Sequence, residues 1–120
     1  MNRFLVALVF IVAFGVVRPH PALAESMDGC MQPGIAGLTM CVQHCAVQGF
    51  IANQGVAQSL LAKLDAAQTA LDRGQPAVVV KQLEAFVQEV QAQTGKQIDV
   101  AHAQHMVMHA HMVIDALQVP

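Results

Sequence analysis

Apolar residues recur every three or four positions along most of the chain after its first 34 residues, which is the spacing of one face of an α-helix. Four helical segments are predicted on this basis, over residues 35–50, 54–73, 76–94 and 99–117. Val, Ile and aromatic residues do not alternate with polar ones over a useful length, so the sequence gives no support for strands.

The residues between these segments are typical of helix ends. Asn53 and Asp99 stand where the N-caps of the second and fourth segments are expected. Gly74 is suited to stop the second helix, and Pro76 fits the first turn of the third. Short loops favour antiparallel neighbours, so we expect an all-α fold: a small up-down helical bundle of three main helices plus a shorter N-terminal helix that carries cysteines. The expected core positions are Leu38, Cys41, Val42, Cys45 and Gly49; Ala57, Leu60, Leu61, Leu64, Ala67, Ala70 and Leu71; Val79, Leu83, Phe86, Val87 and Val90; and Ala103, Met106, Val107, Ala110, Val113, Ile114 and Leu117.

The N-terminus has the three parts of a bacterial secretory signal peptide: a basic start, an uncharged apolar run of 14 residues, and an Ala22-Leu23-Ala24 end. The run is short for a membrane span, which needs about 20 residues, and an uncleaved anchor is the competing interpretation. We expect residues 1–24 to be a signal peptide, residues 25–34 an irregular leader and residues 35–120 a single helical domain. The expected location is the periplasm or outside the cell.

Cleavage after Ala24 would leave eight acidic and four basic residues, a net charge of −4 with neutral histidines. Such a chain cannot neutralise phosphates, so nucleic acid is not expected as a partner. It also has no second long apolar run, and no membrane contact is expected after cleavage. A protein partner is expected instead.

Three cysteines, Cys30, Cys41 and Cys45, remain after the predicted cleavage. Outside the cytoplasm disulfides persist, and an odd count leaves at least one thiol without a partner in the chain. Cys41 and Cys45 are one helical turn apart, with side chains about 6 Å apart, too far for an unstrained disulfide. We therefore expect Cys30 to pair with Cys41 or Cys45. The remaining thiol would be buried or would link two copies in a homodimer.

The stretch HAQHMVMHAHM, residues 102–112, is rich in potential ligands for soft metals. His105 and His109 are four residues apart, which lets two imidazoles meet one ion, and Met112 lies beside them on the helical wheel. Thioether and imidazole together suit copper, and imidazole also suits zinc. The competing interpretation is packing: the Cys-bearing helix would cover Met108 and Met112.

A second candidate metal cluster consists of Cys41, His44 and Cys45, where two thiolates could face one copper or zinc ion. His44 or the histidines of the last helix would complete it. The cysteine spacing is neither that of a zinc finger nor that of haem attachment. No catalytic triad, phosphate loop or carboxylate pair stands out, and Glu84 and Glu89 are expected on a solvated face. No catalytic residue is therefore predicted.

A set of core and turn residues recurs together between about residues 55 and 117: Ser59-Leu60-Leu61, Lys63-Leu64, Ala66-Ala67, Leu71, Gly74, Leu83, Phe86, Val90, Gly95-Lys96 and Ile114-Asp115-Ala116-Leu117. With these residues the segment resembles the small helical module called the FIMAH domain. In that family the module is usually an accessory, non-catalytic part of larger exported bacterial proteins. Here we expect it to stand alone behind the signal peptide, with the Cys-bearing segment and the His- and Met-rich last helix as additions.

Two functions are therefore weighed for this chain. The resemblance implies a non-catalytic interaction or scaffolding module. The alternative is extracytoplasmic copper or zinc binding through the last helix and the cysteine cluster. The histidines that remain after cleavage also suggest a third function, pH sensing, since imidazole titrates near pH 6.5.

Overall fold

The computed structural model describes Cys30 and residues 32–119. The predicted signal peptide and most of the predicted leader lie outside the described residues. The all-α prediction is confirmed. Residues 32–119 contain four helices: α1 (Gly34–Gln48), α2 (Gln54–Asp72), α3 (Pro76–Gln93) and α4 (Val100–Gln118). Of these four, α1 is the shortest, with 15 residues against 18 or 19 in the others. Within the leader, Gln32 and Pro33 are not helical, whereas Cys30 already is.

The helices begin and end within two residues of the predicted bounds; the largest difference is at the end of the first helix, which stops at Gln48 instead of Phe50. The side-chain oxygen of Asn53 accepts a hydrogen bond from the Val56 amide at 3.2 Å, and Asp99 caps α4 in the same way. Pro76 occupies the first turn of α3, where its missing N–H costs nothing. Gly74 has a φ of 71°, a left-handed conformation that turns the chain sharply after α2.

Each helix packs on its neighbours in sequence, and α1 also packs on α4, so the four helices form a closed ring. The buried residues lie inside this ring and include every core position predicted in α3. Two expectations for the core are wrong, because Gly49 and Leu71 are exposed. His109, which is not among the expected core positions, is buried. In the described part of the chain, none of the helices has the length and apolar character needed to span a bilayer.

The two loops at one end of the bundle are joined to each other. Ile51 and Ile98 form an isolated antiparallel bridge, and both side chains are buried. Beside the bridge, the Asp99 amide donates to the Phe50 carbonyl at 2.9 Å. The end of α1 is thereby fixed against the start of α4, which sets the register of the α1–α4 pair.

An ionic network joins α2 to α3 on their outer side. Lys63 Nζ lies 3.0 Å from both Ser59 Oγ and Glu89 Oε1, and the Ser59 hydroxyl donates to the same carboxylate oxygen at 2.8 Å. The expectation that Glu89 lies on a solvated face is therefore wrong, because its carboxylate is partly buried between two helices.

Candidate functional site

The histidines and cysteines singled out in the sequence lie on α1, on α4 and just before α1, and α1 and α4 pack against each other. These helices are antiparallel, because Phe50 after α1 meets His102 at the start of α4, and Gly37 near the start of α1 meets His109. Cys41 and Cys45 lie between Gly37 and Phe50 in sequence, and His105 lies between His102 and His109. The pairing therefore places the two cysteines at the same level of the bundle as His105.

His102 is engaged in holding the start of α4. Its ring stacks on Phe50 with centroids 3.7 Å apart and planes 16° apart. Its Nδ1 lies 2.7 Å from Asp99 Oδ2, and its backbone amide donates to the same carboxylate at 3.2 Å. The hydrogen bond with the His102 side chain holds the pKa of Asp99 below its usual value. The Asp99 carboxylate and the His102 side chain both take part in capping α4, so His102 has a structural role.

His109 is the deepest histidine, with only 4% of its surface exposed. A Cβ atom added at Gly37 would lie 3.0 Å from His109 Cε1, so the ring rests almost directly on the backbone of α1. Burial lowers the pKa of His109, and the neighbouring His105 lowers it further. The imidazole therefore favours its neutral form, which is the form that ligates metals.

His105 stands next to His109, with ring centroids 6.2 Å apart in an edge-on arrangement. Its Nε2 is buried and has no hydrogen-bond partner among the described residues. A buried ring nitrogen without a partner is uncommon in folded proteins, because the lost hydrogen bonds to water are not replaced.

Two of the three methionines of α4, Met108 and Met112, are not covered by α1. Met108 is 55% exposed and Met112 57% exposed, so the interpretation that the Cys-bearing helix packs over them is wrong. The reason lies in the register: α1 packs on the side of α4 that carries His109, and Gly37 lets it approach there closely. Met112, predicted to share a metal with His105 and His109, therefore points to solvent while His109 lies under α1.

The described residues include three cysteines, Cys30, Cys41 and Cys45. All three are free thiols, Cys30 half-buried and the other two buried. Burial, aided by Cys41, raises the pKa of Cys30 to about 12. The hydrogen bond with Cys45 and burial raise the pKa of Cys41, and the same hydrogen bond lowers the pKa of Cys45.

The predicted metal ligands do not close into one site. His44 is half-buried, one residue before Cys45. Across Cys30 and residues 32–119, no three His, Cys, Asp or Glu side chains are grouped so that they could hold a metal ion. The arrangement instead offers one pair of neighbouring histidines, His105 and His109, whose rings are T-shaped to each other.

Sequence reasoning missed two residues that shape this side of the molecule. Gly37 was not singled out, although an added Cβ would overlap the Gln32 carbonyl oxygen as well as crowd His109. Phe50 was placed only at the end of a helix, yet it is the stacking partner of His102. A glycine inside an otherwise apolar helical face was the available signal for close backbone packing.

Comparison with known proteins gives one match. The family model of the FIMAH domain matches residues 35–115, which covers all but the first residue of α1 and extends into α4. The match begins earlier than the resemblance at about residue 55, so the helix with Cys41 and Cys45 lies within the family region and is not an addition to it. Searches of curated proteins and of solved structures find nothing that matches. The FIMAH family is one of non-enzymatic helical domains. With more than half of its length matched, this chain belongs to the FIMAH domain family.

Proposed function

We propose that this FIMAH domain is a non-catalytic binding module and that it docks another protein through the outer surface of α4. The observation that carries the proposal is the exposure of Met108 and Met112, two large apolar side chains of one helix that are 55% and 57% exposed. We call these two residues the methionine ridge. They are four residues apart, so they lie on the same side of α4.

The rest of the outer surface of α4 supports this role. Solvated helix faces usually carry charges, but Asp115 is the only Asp, Glu, Lys or Arg residue in α4. Exposed apolar surface with few charges is typical of sites that contact other proteins. Methionine is flexible and polarizable, so it can adapt to the shape of a partner.

A shallow groove next to the methionine ridge indicates what kind of partner segment would fit this surface. It has a volume of about 410 Å³, lies between α3 and α4, and includes Met108 in its wall. Its other lining residues are Gln91, Thr94, Ala103, Gln104 and Val107. Such a lining suits an apolar side chain flanked by backbone or amide groups. We therefore propose a neutral protein segment as the occupant.

The test is co-purification from the native host with the exported protein carrying a tag. Met108→Gln combined with Met112→Gln is expected to lower recovery of the partner at least tenfold relative to wild type. Val47→Gln is the matched control, because Val47 is 82% exposed on α1 and its loss removes apolar surface elsewhere. Equal recovery with all three proteins, or recovery of nothing but further copies of this chain, would contradict the proposal.

Copper or zinc binding is the second candidate function, and the orphan nitrogen of His105 favours it. A buried imidazole nitrogen beside a second imidazole supplies two possible ligands for one ion. Native mass spectrometry after incubation with Cu(I) or Zn²⁺ tests it. One bound ion that is lost in His105→Ala but kept in His111→Ala would support this function, and an ion-free protein would exclude it.

A further inference from the structure

The methionine ridge presents two thioethers to solvent, and methionine is a common site of oxidation to the sulfoxide. We propose that Met108 and Met112 are a reversible oxidation site, at which hydroperoxides convert the thioethers to sulfoxides and thereby weaken the docking of the partner. The weakening rests on the docking function proposed above, whereas the oxidation itself requires no partner.

Exposure separates these two methionines from the third one of the same helix. Met108 and Met112 are more than half exposed, whereas Met106 is fully buried. Positions two apart on a helix lie about 200° from each other, so Met106 faces the core while Met108 faces solvent. A peroxide molecule therefore reaches the two side chains of the ridge while the bundle is folded, and it reaches Met106 only when the fold opens.

The choice of residue type at the ridge adds a chemistry that packing alone does not need. Val100 is the first residue of α4, and the other large apolar side chains exposed on this helix are Met108 and Met112. Leucine would give the helix a comparable apolar surface, but it has no sulfur to oxidise. Val47 and Leu71, exposed on α1 and α2, are likewise inert to peroxide. The outer surface of α4 thus combines exposed apolar area with redox chemistry.

The oxidation step needs a hydroperoxide, for which hydrogen peroxide serves as the probe. The thioether sulfur attacks one peroxide oxygen, so that an S–O bond forms and the O–O bond breaks. The departing hydroxide takes the proton of the transferred hydroxyl group and leaves as water. Sulfur loses two electrons, the peroxide is reduced by the same two, and the product is methionine sulfoxide.

A sulfoxide changes the surface of α4 but not its core. It places a polar oxygen where the partner would meet an apolar side chain, next to the groove that Met108 helps to line. Burying a polar group without a hydrogen bond costs free energy, so affinity for a neutral apolar segment should fall. Both side chains point outward, and the bundle should therefore stay folded when they are oxidised.

The reverse step needs a thiol reductant of the methionine sulfoxide reductase class. Two thiols of the reductase supply two electrons and two protons, the sulfoxide oxygen leaves as water, and the thiols become a disulfide. The exposure that admits peroxide also admits the reductase, which has to reach the oxidised side chain. The ridge is therefore accessible in both directions.

Oxidation is tested without a partner, by treating the folded protein with hydrogen peroxide and following each methionine by mass spectrometry. Because residues 97–120 contain no Lys or Arg, all three methionines of α4 lie on one tryptic peptide, and fragmentation locates the added oxygen. We expect Met108 and Met112 to be oxidised roughly tenfold faster than Met106, and all three at similar rates in denaturant. Circular dichroism should show unchanged helix content. Equal rates in the folded protein, loss of helix, or sulfoxides that the reductases leave in place would overturn the proposal.

The effect on docking is tested with tagged protein that is oxidised, cleared of peroxide and then mixed with the partner recovered in the docking experiment. Oxidation should lower recovery of the partner about tenfold, and reductase treatment should restore it. Met108→Leu combined with Met112→Leu keeps a similar apolar volume without the sulfur, so its recovery should not respond to peroxide. Met40→Leu is the control, because it removes an exposed methionine of α1 and should leave the response of wild type in place.

The results distinguish this proposal from the docking function. If Met108→Gln with Met112→Gln leaves recovery of the partner unchanged, docking through the ridge is contradicted, and the oxidation rates still decide whether the ridge is an oxidation site. If those substitutions release the partner but peroxide does not, docking stands and the oxidation proposal is overturned. A Leu variant that loses the partner after peroxide as wild type does would overturn it as well.

Discussion

The α2–α3 pair and the α1–α4 pair are built from different chemistry. Between α2 and α3, burial is carried by Ala, Leu, Val and Phe, and the outer edge is joined by one ionic network around Glu89. Between α1 and α4, the buried groups include thiols and an imidazole. The close approach of the His109 ring to the backbone of α1 depends on Gly37. Apolar side chains in a core only pack, whereas thiols and imidazoles can also be oxidised, protonated or bound by a metal. The difference places the reactive groups of this molecule on the α1–α4 side.

The largest loss of stability is expected when a large side chain buried between α2 and α3 is truncated. Phe86 is fully buried, and Phe86→Ala should lower the free energy of unfolding by about 3–5 kcal/mol through lost burial and the cavity left behind. Chemical denaturation followed by circular dichroism measures it. Cys45→Ala, a small truncation on the other side, is the matched comparison and should cost less than half as much. Equal losses would show that the two sides do not differ in how they are stabilised.

Gly37→Ala tests the close approach of α1 to α4. The added Cβ would overlap the Gln32 carbonyl oxygen and crowd His109, so we expect a loss of about 1–3 kcal/mol, the usual cost of overpacking. Gly55→Ala is the control, because the nearest atom to a Cβ there is the end of the Asn53 side chain. In that control, helix propensity should offset most of the cost. A stable Gly37→Ala protein would mean that His109 is not held against the backbone of α1.

The pH dependence of stability should come mainly from the α1–α4 side. The folded state binds a proton at His109 less readily than the unfolded chain does, because burial and His105 lower its pKa. Stability is therefore complete above about pH 6.5, the ordinary value for histidine, and is lost as the pH falls below it. His109→Gln should flatten this slope, whereas His111→Gln, at an exposed position, should leave it unchanged. Denaturation midpoints measured between pH 5 and 8 decide the matter.

Asp99 should affect the stability of the fold in a separate, more acidic pH range. Its pKa is lowered by the hydrogen bond with the His102 side chain, so its contribution is present above the ordinary carboxyl value and is lost as the pH falls through the lowered one. As the pH falls, the Asp99 effect should therefore begin at a lower pH than the His109 effect. A single transition that Asp99→Asn shifts as a whole would contradict this order.

The smallest effect is expected from the ionic network between α2 and α3. Glu89→Gln removes the charge that Lys63 meets at 3.0 Å, but both side chains are partly solvated. Such pairs contribute about 0.2–1 kcal/mol, and the contribution weakens in salt. The loss should disappear when wild type and Glu89→Gln are compared in 1 M NaCl. Glu84→Gln is the control with no expected change.

The sequence predicts the α2–α3 side well because its helical periodicity is clean and its ends carry an N-cap, a glycine turn and a proline. On the α1–α4 side it predicts the helices but not their register. Whether Met108 is covered or His109 buried depends on where α1 lies on α4, and that follows from Gly37 and from the bridge between Ile51 and Ile98. Both are contacts between residues distant in sequence, which periodicity along one helix cannot report.

Site-specific photo-cross-linking in the native host tests the central claim, that the outer surface of α4 is the docking surface, most directly. A photoreactive amino acid would replace Met108, Met112, Val47 or Leu71, the last two being exposed residues on α1 and α2. We predict one cross-linked product, of the same mass, from positions 108 and 112 and none from 47 and 71. Cross-links of equal yield from all four positions, or from α1 and α2 alone, would contradict the account.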